Sequence, residues 1–186
     1  MCYCESVALP RLTLVACVAV ALVAATAGCA GSAHTRPAAG TPDPNTLIDV
    51  TGSIGGIHAR ETQARVEHML GPGVLISALT RHPRTGTYSL RRVSYPAAGL
   101  LVVYFRTPHR PAAVFGVFTT SPRYHTAGGL RVGSSLADAR HTPGIRCYDQ
   151  VQYVACQGGL GYERPVTSFT VRGGRVVRVF MVAVAD

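Results

Sequence analysis

The sequence contains no lysine and no tryptophan, and all 18 of its basic residues are Arg, against 9 acidic residues. Together with its heavy use of Ala, Val, Gly and Pro, this bias reads as the coding preference of a GC-rich bacterial genome. Carboxylates are few and dispersed, so an acid–base pair of the hydrolase kind is hard to assemble. The seven His residues include no HExxH, no His-x-His and no Cys/His cluster, so nothing has the spacing of a metal site. There is no Gly-x-Ser-x-Gly elbow, and Ser134-Ser135 stand where a helix start needs hydroxyls in any case. These absences point to a protein without catalytic activity, cofactor or metal. The net charge of +9 favours anionic partners. The Arg residues are scattered, however, with Arg91-Arg92 the only adjacent pair, and no basic helix or arm marks a nucleic-acid binder.

Long hydrophobic runs are also scarce. The longest, Leu12 to Ala27, is sixteen residues without a charge, short of the ~20 a spanning helix needs and suited to the apolar core of an export signal. It ends at Thr26-Ala27-Gly28-Cys29, which resembles a bacterial lipobox, with small residues ahead of a cysteine that receives lipid. Residues 1–28 are accordingly read as a lipoprotein signal and Cys29 as the lipidation site. The competing reading is ordinary secretion with cleavage near Ala30. Residues 29–52 begin as AGSAHTRPAAGTPDP from position 30, rich in small and turn-forming residues without a period, and read as a flexible tether. The expected location is extracytoplasmic, held to the cell membrane by lipid.

Beyond the tether, residues 55–71 can be laid without gaps on residues 128–144, with Gly55, Gly56, Ala64, His68 and Gly71 recurring 73 positions later. Strand-like sequence follows each: 87–95, 100–105 and 113–120 in the first half, 147–156, 168–172 and 175–182 in the second. Ser135 and Asp138 have the spacing of a capping box, and Thr62 is the corresponding cap, with Arg65 where an acid would be preferred. The expectation is an α+β fold: two tandem repeats, 53–124 and 125–186, each a helix followed by about three antiparallel strands. The repeats would form one sheet with its helices on one face.

The pattern of Gly133, Ser135, Asp138 and Ala139 resembles that of small envelope lipoproteins of the SmpA/OmlA type. The tandem arrangement is similar to that of the β-lactamase inhibitor proteins. The first half departs from the pattern, with Arg60 in place of its glycine and Arg65 in place of its acid. The resemblance implies a binding scaffold.

Cys147 and Cys156 are the only cysteines in the region expected to fold, and in an oxidising compartment they are read as a disulfide closing a hairpin. With Gly173-Gly174 as a two-residue turn, strict alternation puts Phe169, Val171, Val176, Phe180 and Val182 toward the helices, with Arg178 a misfit among them. Thr170, Arg172, Arg175, Val177, Val179 and Met181 then form the opposite face, taken as a binding surface against the plainer reading of a solvated or covered one. Arg106, His109 and Arg110, in the segment 106–111, are read as a protruding contact loop, the alternative being a plain linker. The functional expectation is a non-catalytic, monomeric binding module for an envelope protein or an anionic envelope component. The alternative is an inhibitor or modulator of an extracytoplasmic hydrolase that inserts a loop into its cleft.

Overall fold

A computed structural model of the chain describes residues 44–82, 86–159 and 164–183, all within one compact unit. The expected signal, Cys29 and the first part of the expected tether lie outside the described residues. A single turn at Pro44–Thr46 leads into three two-residue strands, β1 (Ile48–Asp49), β2 (Ser53–Ile54) and β3 (Ile57–His58), paired as a small antiparallel sheet. Then come α1 (Gln63–Leu70), β4 (Val74–Arg81), β5 (Tyr88–Tyr95), β6 (Leu100–Thr107) and β7 (Arg110–Thr119). The second half supplies α2 (Leu136–His141), β8 (Arg146–Asp149), β9 (Val154–Gly158), β10 (Val166–Arg172) and β11 (Arg175–Val182). The eight long strands form one antiparallel sheet in the order β4-β5-β6-β7-β11-β10-β9-β8.

The expected α+β class is thereby corrected. The described residues are mostly β, 52% strand against 12% helical, with two antiparallel sheets and only two α-helices among them. The helices are short for local reasons. Gly71, with φ of +79°, and Pro72 stop α1 after eight residues, and Thr142-Pro143-Gly144 stops α2 after six. Strand content was also underestimated. Val74–Arg81 forms β4, an eight-residue strand in a segment given no strand from sequence, and 147–156 divides into β8 and β9 around a turn. Within the segment expected as tether, Ile48 of β1 is buried in the core.

The two helix entries have the same backbone wiring. Arg60 N–H donates to Val114 O and Val114 N–H to Glu61 O; 73 positions later Gly133 N–H donates to Val176 O, and Val176 N–H to Ser134 O. Arg60 has φ of +67° where Gly133 has +94°, so at this corner the first half holds a non-glycine residue in the left-handed region. The capping box of α2 is complete: Ser135 Oγ accepts from Asp138 N–H, and Asp138 accepts from Ser135 N–H. That anchorage draws the Asp138 carboxyl below its ordinary range through its bonds to Ser135. Thr62 caps α1 as expected, accepting from Arg65 N–H at 3.4 Å.

The core lies on one face of the large sheet. Cross-strand partners run in rows: Tyr95, Leu100, Thr119, Val179, Phe169 and Cys156 form one, and Val93, Val102, Val117, Met181 and Thr167 the next. All are buried, and their apolar members share one cluster with Val66 of α1, Ala139 of α2 and Ile48, Ile54 and Ile57 of the small sheet. Two of the residues assigned from sequence to the opposite face, Val179 and Met181, are therefore core residues, each 0% exposed. The cause is a β-bulge. Val171 pairs with Val176, but Thr170 pairs with Arg178, leaving Val177 unpaired. The extra residue reverses the alternation beyond it. Phe180 and Val182, assigned to the core from sequence, move to the other face, and the Arg178 misfit disappears.

Met181→Ala is thus expected to cost about 2–5 kcal/mol of unfolding free energy. Val177→Ala, at a 40% exposed position, should stay within about 0.5 kcal/mol. Urea denaturation of both variants checks the ranking, and the reverse order would contradict the bulge.

Candidate binding face

The face opposite the core is built from the alternate residues of the same strands. One row across it reads Ser94, Leu101, Phe118, Phe180, Ser168, Gln157 and Arg146. Around that row lie Tyr88, Leu90 and Arg92 of β5, Phe105 of β6, Phe115 of β7 and Arg178 of β11. A second bulge puts Phe115 here, since Val103 pairs with Gly116 and Tyr104 with Val114, leaving Phe115 between them. No helix of the described residues packs on this side. Four of the five Phe residues of the chain consequently sit outside the core, with only Phe169 inside it.

These rings are organised. Phe118 and Phe180 are direct cross-strand partners, their rings stacked at 5.6 Å and 18°, a contact worth about 0.5–1.5 kcal/mol beyond burial. The Arg178 guanidinium lies 5.6 Å from the Phe180 centroid. Tyr88, Phe105 and Phe115 form a second string, with centroids 5.5 and 6.2 Å apart. All five aromatics are half-buried, and Arg92 and Arg178 are exposed beside them. The described carboxylates stand elsewhere: Glu61 and Glu67 at or in α1, Asp138 in α2, Asp49 in β1, and Asp149 at the end of β8 opposite Val154, a core-side position. Among the described residues this face is aromatic, cationic and free of carboxylate.

The residues proposed from sequence are dispersed. Arg172 and Arg175 flank the Gly173-Gly174 turn and pair with each other as expected. Arg175, however, donates to Gly133 O at 3.0 Å, tying it to the turn before α2. Val177 is exposed at its bulge. Arg106, His109 and Arg110 do not form a long loop: β6 runs to Thr107 and β7 starts at Arg110, so the connection is a hairpin turn of Pro108 and His109. They line an open cleft on the helix side with Arg91, Gln63 and Glu67, where Gln63 bridges Arg91 (3.4 Å) and Glu67 (2.6 Å). Cys147 and Cys156 are bonded, directly opposite each other in the β8–β9 ladder. Loop-closure entropy at a separation of nine residues corresponds to about 2.5–3 kcal/mol.

The residues that reasoning from sequence missed are Phe105, Phe115, Phe118 and Phe180. The only signal they gave was their concentration in three strands, since the two bulges conceal which face they share.

Polar groups inside the core have a structural part. Tyr95 and Tyr104 share a hydrogen bond between their hydroxyls at 2.7 Å beneath α1, and the Tyr124 hydroxyl donates to Ala98 O at 2.7 Å. Burial pushes all three phenols above their ordinary range; for Tyr104 the shared hydrogen bond pushes further, while for Tyr95 it opposes burial. Among the described residues no three His, Cys, Asp or Glu gather as metal ligands. Comparison with known proteins finds no matching family model, no matching curated protein and no matching solved structure.

Because the folded state holds these phenols protonated while unfolded tyrosines ionise near pH ~10, the unfolded chain binds fewer protons above that pH. Stability should be flat up to about pH 9 and fall above about pH 10, by up to ~1.4 kcal/mol per pH unit for each phenol. Tyr124→Phe should make that slope shallower. Urea denaturation across the alkaline range measures it, and an unchanged slope in the variant would remove Tyr124 from the account.

Proposed function

We propose that this chain is a non-catalytic binding module whose helix-free sheet face receives an acidic, partly apolar protein surface in the cell envelope. The observation that carries the reading is the composition of that face: four of five Phe, with Arg92 and Arg178 and no described carboxylate. Aromatic residues and Arg are the types enriched where protein interfaces are tightest. A guanidinium stacked on a ring is held in place before a partner arrives, so less entropy is lost on pairing it with a carboxylate. The net charge of +9 adds long-range attraction for the same kind of partner.

The uncharged run ending in Gly28-Cys29 supports export and lipid attachment at Cys29, which would hold the face outside the cytoplasm near the membrane. The tight hairpin at 106–111 offers no long loop to the alternative reading, an inhibitor that inserts a loop into a hydrolase cleft.

Cross-linking in intact cells tests the proposal. Wild type should yield a protein adduct, as should Arg140→Glu on the helix side. Phe180→Ala should reduce the adduct at least about tenfold, as loss of an interface anchor does, and Arg92→Glu with Arg178→Glu should abolish it. An adduct indifferent to these changes would overturn the assignment of the face. Binding only to anionic lipid vesicles, with no protein adduct, would overturn the protein partner.

A further inference from the structure

The large sheet ends in two unlike edges. At one, β8 is four residues long and stapled to its neighbour by the Cys147–Cys156 disulfide. At the other, β4 runs for eight residues, and every one of them is exposed. Val74 is 56% exposed, Leu75 50%, Ile76 60% and Leu79 46%. Among the described residues only β5 pairs with β4 in the sheet. An edge of this kind presents free N–H and C=O groups that template another strand, and proteins usually blunt it with charge or Pro. From Val74 to Thr80 there is neither; the single irregularity is a bulge at Ile76, between Leu75 paired with Val93 and Ser77 paired with Arg92.

We propose that β4 pairs antiparallel with β4 of a second copy of this chain, about a two-fold axis normal to the sheet. This replaces the monomer expected from sequence. Charge selects the occupant. A partner strand bearing carboxylates would find no cation from Val74 to Thr80, whereas an identical strand finds a neutral match. For two copies of a chain with net charge +9, an uncharged edge is where approach is least opposed. The one charge on the strand, Arg81, stands at its end. A two-fold axis near Ala78 places the two Arg81 residues about 20 Å apart, well beyond the screening length of about 8–10 Å.

The same operation keeps each face on its own side. With the axis at Ala78, Ala78 meets its own copy on the side aligned with the core of β5 and Ser77 meets Leu79 on the other, while Leu75 stands opposite Arg81 beyond the bulge at Ile76. The symmetry is closed, so the joined sheet ends at two stapled β8 edges and does not propagate. A ladder centred on Ser77–Leu79 makes a small interface, so the dimer is reversible and concentration-dependent. Both helix-free faces point the same way and would engage a clustered target together; the pairing itself does not rest on the function proposed for them.

Sedimentation equilibrium of the full chain in non-ionic detergent tests this. The expected result is a protein mass rising to two chains with concentration. It should return to one chain in the double variant Ile76→Lys, Leu79→Lys, and remain at two in Val151→Lys beside the opposite edge. In case the double variant fails to fold, Ala78→Cys offers a second reading: mild oxidation should give a disulfide-linked peptide joining two copies at position 78, and Tyr148→Cys on β8 should give none at position 148. A wild type that stays at one chain, a dimer unaffected by the two lysines when that variant is folded, or an absent 78–78 link would each overturn the proposal.

Discussion

The central joint of the sheet is the pairing of β7 with β11, among the described residues the only place where strands from the first and second halves of the chain are hydrogen-bonded side by side. Its register puts Val117 against Met181 and Thr119 against Val179 on the core side, and Phe118 against Phe180 on the other. Everything outward is set by that choice. Once Val179 and Met181 face the helices, Phe169 and Thr167 of β10 must face them too, and Cys156 follows on β9. The same register carries Val102 and Leu100 inward on β6 and Val93 and Tyr95 on β5. One pairing thus distributes a whole hydrophobic core across six strands.

That register would bury Arg175 and leave Val176 outside if β11 alternated without interruption. The bulge at Val177 resolves the conflict by spending one residue on the outer face, so Val176 and Val179 both point inward. The corresponding bulge at Phe115 performs the same service for Val114 and Val117 on β7. Both irregularities push aromatic residues outward. The cost is an aromatic surface facing water, partly offset by ring stacking and by the Arg178 guanidinium over Phe180. A surface with that composition is what the proposed function uses.

Much of the local structure was legible in the sequence because it depends on neighbours along the chain. The Ser135–Asp138 cap, the Gly173-Gly174 turn and the Cys147–Cys156 hairpin each follow from residues at short range. The wiring of the two helix entries follows the 73-residue offset for the same reason: a turn with a left-handed corner constrains few residues. What was not legible depends on partners far away. A bulge is not visible in the composition of one strand; the misplaced Arg178 was its sole trace, and treating it as a misfit kept the wrong phase. β4 was missed because VLISALTR is exposed on both faces and so carries neither alternation nor a buried run. The mostly-β class followed from the same omissions, with short helices and unrecognised strands.

The core and the helix-free face both depend on the phase of β11, and solvent accessibility along that strand tests it most directly. Single Cys substitutions from Val176 to Val182 would be labelled with a water-soluble thiol reagent in the folded protein. The structure predicts rapid labelling at 177, 178, 180 and 182, and protection at 176, 179 and 181. Unbroken alternation, with 177, 179 and 181 labelled and 178 and 180 protected, would contradict the bulge, the core and the proposed face together.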